Sequence, residues 1–392
     1  MKKVRIGIIG IGNMGSAHAL NIYQGKVDNL ELTAVCDSKG DRLDWAKQTL
    51  GPEVSFYTDY HLLIESGLVD AILIATPHSL HPVIAMDGFA AGLHVLTEKP
   101  AGISAMHARQ MNEAAAKTDK IFGIMYNQRT NPLFARLKRM VEDGELGEMK
   151  RFVWIVSNWY RTQAYYDSGS WRATWNGEGG GVLLNQCPHN LDIWQWIAGM
   201  PVKIRAFCKY GHYHNITVED DVTILAEYPN NATAVFVTST GECPGTNRLE
   251  YAGTRGKAVI EDGILKLYRL DTDERDICFN SKDGFPKVDV HYEEFIQEEP
   301  ETGHIGILQN FTNAILHGEA LLAPGQEGIH GLTISNGAYL SDWTDCWVDI
   351  PIDEELFDRM LKEKQSKEGS IQKKDSSEDL KGEYSERWKV RW

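Results

Sequence analysis

Two short stretches hold side chains whose type and position could do chemistry. In TEKPAG, residues 97–102, Lys99 lies between Glu98 and Pro100, just after the apolar stretch LHVL. An ammonium at the end of such a stretch can hydrogen-bond an oxygen that gathers negative charge during a reaction. Pro100 restricts the backbone there and fixes the turn that aims it. In NQCPHNLD, residues 185–192, Pro188 suits the first turn of a helix. That puts His189 at a helix N-terminus, where the dipole disfavours imidazolium. A neutral imidazole near pH 7 is what a general base needs. Leu191, Ile193, Trp194, Trp196 and Ile197 follow and would anchor this helix in a core. Asp192, three residues on, either orients the ring or is structural.

A third stretch supplies a place for a cofactor. VRIGII, residues 4–9, reads as a buried strand, followed by GIGNMG, residues 10–15, and a helical segment. Gly10 permits the tight turn, Gly12 lets a pyrophosphate approach the main chain, and Gly15 lets helix and strand pack closely. Asn13 and Met14 begin the helix, whose free N–H groups favour phosphate. A second strand, ELTAVCD, ends in Asp37. An acid about twenty residues beyond the glycines accepts from the adenosine ribose hydroxyls, and its charge repels a 2′-phosphate. The expected cofactor is therefore NAD rather than NADP. The competing reading makes Asp37 a cap for the next helix.

The elements that must position these groups follow. DAILIAT (70–76), LHVLTE (93–98) and IFGIMYN (121–127) are further apolar strands, with helical stretches between them. Such alternation indicates a doubly wound parallel sheet, whose ligands lie beyond the carboxyl ends of the strands. Both ATPHSLH and TEKPAG fall at such ends. Past residue 128 the pattern changes. MKRFVWIVSNW, KIRAFCKYG, DVTILAEY, ATAVFVTST, NRLEYAG and GKAVIED are strand-like runs without long helices between them.

The formal charge of −15 argues against nucleic acid and an anionic membrane surface as partners. No apolar run is long enough to span a bilayer. The basic N-terminal stretch has a short, glycine-broken apolar part and no cleavage site, so it reads as the first strand and turn. Six cysteines without CxxC spacing suggest reduced thiols in a cytoplasm. Thirteen histidines show no ligand spacing, and no metal is expected.

Taken together, GxGxxG, ATP..LH, EKP, WRATW (171–175), GGGVLLNQCPHNLDIWQWIAG (179–199) and NFTNAILHGEALLAPGQEGI (310–329) resemble the Gfo/Idh/MocA family of sugar and polyol dehydrogenases. The resemblance covers roughly residues 3–350. It implies an α/β chain: an N-terminal Rossmann domain over 1–127, then a C-terminal α+β domain over 128–362 with a large, mostly antiparallel open sheet. A polar C-terminal arm, 363–392, would complete the chain. The implied reaction is alcohol oxidation or its reverse. His189 takes the hydroxyl proton while a hydride leaves the same carbon, and Lys99 hydrogen-bonds the reacting oxygen or relays the proton. The resemblance also suggests a cis Lys99–Pro100 bond. Where the family commonly has Asp, this chain has Asn185, which can bond a hydroxyl but cannot share a proton. Thr76, Pro77 and His81 are expected to line the nicotinamide side, and Glu98 to meet its ribose. Trp171 and Arg172 resemble an element that reaches the cofactor, although Arg172 equally suits a structural ion pair. Asn127 and His304 are expected to contact substrate, with Asn185.

The stretch 153–175 is dense in Trp and Tyr with polar residues between them, which suits a pyranose. The expected substrate is a sugar, polyol or glycoside, and the pattern resembles bacterial members that oxidise position 3 of a glucoside. Two other readings compete: a non-catalytic NAD-binding sensor, and a reductase of a non-sugar carbonyl or imine. Residues 363–386 look flexible. Trp388 and Trp392 at the terminus suggest an arm docking on a neighbouring subunit of a homo-oligomer (dimer, tetramer or hexamer).

Overall fold

The computed structural model describes residues 3–297 and 300–368. Its first sheet is built from β1 (Val4–Ile9), β2 (Leu30–Cys36), β3 (Ser55–Tyr57), β4 (Ala71–Ile74), β5 (His94–Thr97) and β6 (Phe122–Ile124). The order is β3-β2-β1-β4-β5-β6 and every pairing is parallel. Helices cover both faces, so β1 and β4 are almost wholly apolar and buried. The strand order reverses beside β1, and such a switch point is where an open parallel sheet forms a crevice. Strand β3 escaped the sequence reading because three half-buried residues, SFY, carry no periodicity.

The second sheet has nine strands: β7 (Met149–Val156), β8 (Lys203–Tyr210), β9 (Glu219–Glu227), β10 (Thr233–Ser239), β11 (Asn247–Gly253), β12 (Gly256–Glu261), β13 (Ile264–Leu270), β14 (Val290–Ile296) and β15 (Val348–Asp349). They run in the order β14-β13-β12-β11-β7-β10-β9-β8-β15, and β7 with β10 is the parallel pair in an otherwise antiparallel sheet. This is the mostly antiparallel sheet that the sequence predicts. Burial alternates along β7, where Phe152, Trp154 and Val156 are buried. On that face the Trp194 ring, from the helix Pro188–Ala198, stacks between Phe152 (6.0 Å) and Phe236 (5.6 Å). The apolar run after His189 therefore does anchor its helix.

The helix Gly328–Thr344 ties the two sheets together. Its Asn336 side chain accepts from Ala105 N (2.8 Å) and donates to the Ile103 carbonyl (3.2 Å), while Ser341 Oγ accepts from Ala206 N (3.0 Å). The helix Glu354–Glu368 runs six residues into the stretch read as a flexible arm, which corrects that reading for 363–368. Its last residue is well held: the Glu368 carboxylate accepts from Trp175 N (2.7 Å), Asn176 N (2.9 Å) and Thr217 Oγ1 (2.6 Å). The docking arm of Trp388 and Trp392 lies outside the described residues. Among the described residues no helix is long and apolar enough to cross a membrane, and all six cysteines are free.

Candidate active site

The glycine loop has the geometry that its sequence implies. Gly10 has φ +94°, and a Cβ there would lie 2.6 Å from the Ala75 carbonyl oxygen. A Cβ on Gly15 would collide with the Gly10 carbonyl. A Cβ on Gly12 would meet nothing within 4 Å, so open space faces that part of the loop. The helix Asn13–Tyr23 starts here and presents the amides of Asn13 and Met14 at its N-terminus. Asp37, at the end of β2, has one oxygen on Ile11 N (2.7 Å) and the other on Lys39 N (2.9 Å). It thus holds the glycine loop and the entry to the next helix, and each oxygen keeps lone pairs for a ribose. At the end of β4, Thr76 Oγ1 is buried without a partner among the described residues, and Pro77 is exposed. An open glycine loop, free helix amides and an orphaned hydroxyl along one sheet edge fit an extended dinucleotide.

His81 is held by backbone on both sides of its ring. It is 1% exposed, and its two ring nitrogens sit 2.8 Å from the carbonyl oxygens of Thr76 and Pro100. With both nitrogens taken, it braces the ends of β4 and β5 against each other. The Lys99–Pro100 bond is cis. Glu98 also points inward: one oxygen meets His18 Nε2 at 2.7 Å, and the other accepts from Lys99 N at 3.2 Å. Burial opposes ionisation of Glu98, but the His18 hydrogen bond and charge prevail and draw its carboxyl down to about 2. The His304 ring lies edge-on to His18 at 5.4 Å, and burial, with the charges of His18 and Lys99, lowers its pKa to about 4.

Lys99 reaches across to the second domain, where its Nζ donates to the Asn185 carbonyl at 3.0 Å. Burial lowers its pKa, against the pull of Glu98 and Glu178. His189, 2% exposed, follows Pro188 in the first turn of its helix, with the Tyr126 ring edge-on at 6.2 Å. Burial first, and then the charge of Lys99, hold its imidazole well below the ordinary histidine value. The site therefore pairs a buried, neutral imidazole with a half-buried amine. Asn127, 1% exposed, leaves Oδ1 without a partner among the described residues. Asp192 does not orient the imidazole. It is paired with Arg129, through Nε at 2.8 Å and Nη2 at 2.6 Å, and is structural.

Three supporting acids were missed from the sequence. Glu178, 1% exposed, accepts from Ala173 N (2.7 Å) and from the Asn185 side-chain amide, and lies 3.5 Å from Arg172. Arg172 therefore makes the ion pair that the sequence allowed, with its guanidinium 4.7 Å from the Tyr165 ring and 4.8 Å from that of Trp171. Trp171 in turn stands edge-on to His78 at 5.8 Å. Glu219 accepts from Gly181 N (2.9 Å), Leu183 N (3.0 Å) and Tyr339 Oη (2.7 Å), fixing the loop that leads into Asn185 and His189. Asp220 gathers His212 N, Tyr213 N and His214 N. Glu178 lies in GEGGG and the other two in VEDD, which resemble ordinary turn sequences.

Comparison with known proteins agrees with this architecture. A model of the oxidoreductase family's NAD-binding Rossmann fold matches residues 4–126, and a model of the GFO/IDH/MocA C-terminal domain matches residues 134–259. Myo-inositol 2-dehydrogenase of Thermotoga maritima is 26% identical over 345 residues, covering 86% of this chain and 95% of that protein. The WlbA dehydrogenase of Bordetella pertussis, solved with NADH and UDP-GlcNAcA, superposes with a TM-score of 0.75 at 23% identity, covering 90% of this chain and all of the other (100%). A levoglucosan dehydrogenase, solved with NADH and levoglucosan, gives 0.74 at 20% identity, over 89% of this chain and 100% of that one. At these identities the two structures speak for the fold.

Proposed function

The chain belongs to the Gfo/Idh/MocA family of NAD-binding oxidoreductases, and we propose that it oxidises a secondary alcohol of a sugar, polyol or glycoside, or reduces the corresponding ketone. The observation that carries this reading is the convergence of a half-buried Lys99 and a buried His189 at the carboxyl edge of the parallel sheet, each shifted toward its neutral form. Nicotinamide, when bound, supplies the acceptor or donor of the hydride. Lys99 donates a hydrogen bond to the substrate oxygen and favours its anionic character. His189 accepts the hydroxyl proton in oxidation and returns it in reduction. Asn127 and His304 bind further hydroxyls. Asn185 acts through its carbonyl, which holds the Lys99 amine, while Glu178 occupies its amide. A carbohydrate substrate is supported by the aromatic and amide residues around the site and by the inositol and sugar dehydrogenases among the relatives. Position 3 of a glucoside is the narrower form of the proposal.

The two sheets carry the two tasks, with cofactor binding on 1–127 and substrate binding on 128–362. The exposed rings of Phe279 (75%) and Phe285 (95%), shortly before the largely exposed edge strand β14 in the chain, support assembly into a homo-oligomer. Free thiols support a cytoplasmic location. The direct test is NAD reduction, followed by absorbance, against a panel of free sugars, inositols and glycosides. Turnover with none of them, together with turnover of a non-sugar ketone or imine, would displace this reading. A sensor would bind NAD and turn over nothing.

Cofactor choice gives a second measurement. Asp37→Ala should weaken NAD(H) and narrow its advantage over NADP(H), because the carboxylate both accepts from ribose and repels phosphate. Fluorescence titration of both cofactors checks this. NADP(H) binding as tightly as NAD(H) to the unaltered protein would contradict it.

A further inference from the structure

The loop from Trp171 to Glu178 runs through turns rather than a helix or strand, and two carboxylates grip it. The first is its own Glu178, which accepts from Ala173 N (2.7 Å) and from the Asn185 side-chain amide, while its carbonyl meets His78 Nδ1 at 3.1 Å. The second is Glu368, on the helix Glu354–Glu368. It accepts from Trp175 N (2.7 Å), Asn176 N (2.9 Å), Asn176 Nδ2 (2.8 Å) and Thr217 Oγ1 (2.6 Å). Gln365, one helical turn earlier, bonds the same two loop residues. Its Nε2 donates to the Trp175 carbonyl (3.0 Å), and its carbonyl accepts from Asn176 Nδ2 (3.0 Å). The helix is a firm base for this clasp. Its Phe357 and Leu361 are buried, and the Phe357 ring stacks on Trp343 (5.7 Å), which stands edge-on to Trp175 (5.6 Å). Within the gripped loop Ala173 has φ +48°, a left-handed conformation that alanine keeps only where its surroundings impose it.

Lys99 is reached from this loop in two steps. Glu178 holds the Asn185 side chain, and the Asn185 carbonyl accepts from Lys99 Nζ at 3.0 Å. Arg172, in the same loop, lies 3.5 Å from Glu178. A loop released at Trp175 and Asn176 would let Glu178 shift, and Asn185 with it. A misplacement of about 1 Å at a reacting group lowers a rate by up to about a hundredfold. We propose that Glu368 is a positioning residue for the reaction: by clasping Trp175 and Asn176 it fixes the loop that sets Glu178, Asn185 and the aim of Lys99. The inference rests on the reading above, in which Lys99 meets the reacting oxygen, and extends it to the helix Glu354–Glu368.

The test uses the full chain. Glu368→Ala removes every acceptor of the carboxylate. Asn176→Asp opens the clasp from the loop side, by setting a second carboxylate against the first. Asn176 is exposed, so this variant tests the clasp even where the first fails to fold. Both should lower kcat by about tenfold, the scale of one charge-assisted hydrogen bond, on whichever compound the NAD-reduction panel identifies. NADH affinity should stay within about twofold. In a Lys99→Ala background the same two changes should cost less than about twofold, because a residue that acts through the amine has nothing left to act on. Glu368→Gln keeps one carbonyl oxygen for the loop and should fall between. Hydrogen–deuterium exchange with NADH bound follows the linkage without any turnover. In both variants exchange should quicken over 173–178 and also over 185–189. An unchanged kcat in both variants, an equal loss with and without Lys99, or quickened exchange confined to 173–178 overturns the proposal. If no sugar, polyol or glycoside is oxidised but exchange quickens at 185–189 in both variants, the reaction assigned above fails and the hold of Glu368 on Asn185 stands.

Discussion

Lys99→Ala should lower turnover by about two or more orders of magnitude while NAD still binds within about tenfold of the unaltered protein. The split follows from where the amine points. Its Nζ is held at 3.0 Å by the Asn185 carbonyl, on the second domain and away from the glycine loop. In the proposed binding mode the pyrophosphate would meet the amides at the start of the helix Asn13–Tyr23, none of which depends on Lys99. The amine therefore contributes most where negative charge grows on the substrate oxygen, which is in the transition state. Burial lowers its pKa, so it can also pass a proton during the reaction. Lys99→Arg should rescue only partly, because a planar guanidinium cannot fill the compact position of an ammonium. Stopped-flow turnover and cofactor titration on the same preparations decide the matter. Loss of NAD binding, with chemistry intact at saturating cofactor, would make Lys99 a cofactor clamp instead.

Legibility in the sequence followed physical simplicity. Strands β1, β2, β4, β5 and β6 were readable because each is a short apolar run closed by a turn. Strand β14 was not, since nearly all its residues are exposed and no alternation survives. Strand β15 is two residues long. Lys99 and His189 stood out because a proline sits beside each and fixes the local backbone. The contacts of His81 were not legible, for the opposite reason. Its neighbourhood marks a strand end, but which way the ring turns depends on the carbonyls of Thr76 and Pro100, the latter beyond the end of another strand, β5. The bond between Glu98 and His18, eighty residues earlier (|i−j|=80), was likewise not legible in the local sequence. Glu178 and Glu219 bond backbone amides that only the folded loop brings to them, so nothing local marks either as a support. Asp37 does not cap the next helix, whose N-cap is Lys39 with no side-chain bond; its oxygens meet the amides of Ile11 and Lys39 and keep lone pairs for a further donor.

The second large effect is expected at His189. His189→Ala should lose about two to four orders of magnitude in turnover, the usual scale for a positioned acid–base group. NAD affinity should change little, because the imidazole stands on the second domain's helix and takes no part in the glycine loop. The pH dependence sharpens the test. Burial and the nearby Lys99 charge place the imidazole pKa well below the ordinary histidine value of 6.5. The base is therefore already neutral at pH 7, and oxidation should persist as the pH falls through 6.5. It should decline only when the ring at last takes up a proton. Reduction needs that proton on the ring and should speed up over the same acid range. The sign for stability agrees: below about 6.5 the unfolded chain binds a proton that the folded chain resists, so stability falls as the medium becomes more acidic. A variant lacking the imidazole should lose the acid limb of the oxidation profile as well as the rate. His189→Gln separates support from proton transfer, since it can hydrogen-bond a hydroxyl but cannot accept its proton. If His189→Gln retained the parental rate together with the acid limb, another group would be the base. The neutral His189 would then be only a binding residue in the wall of the site.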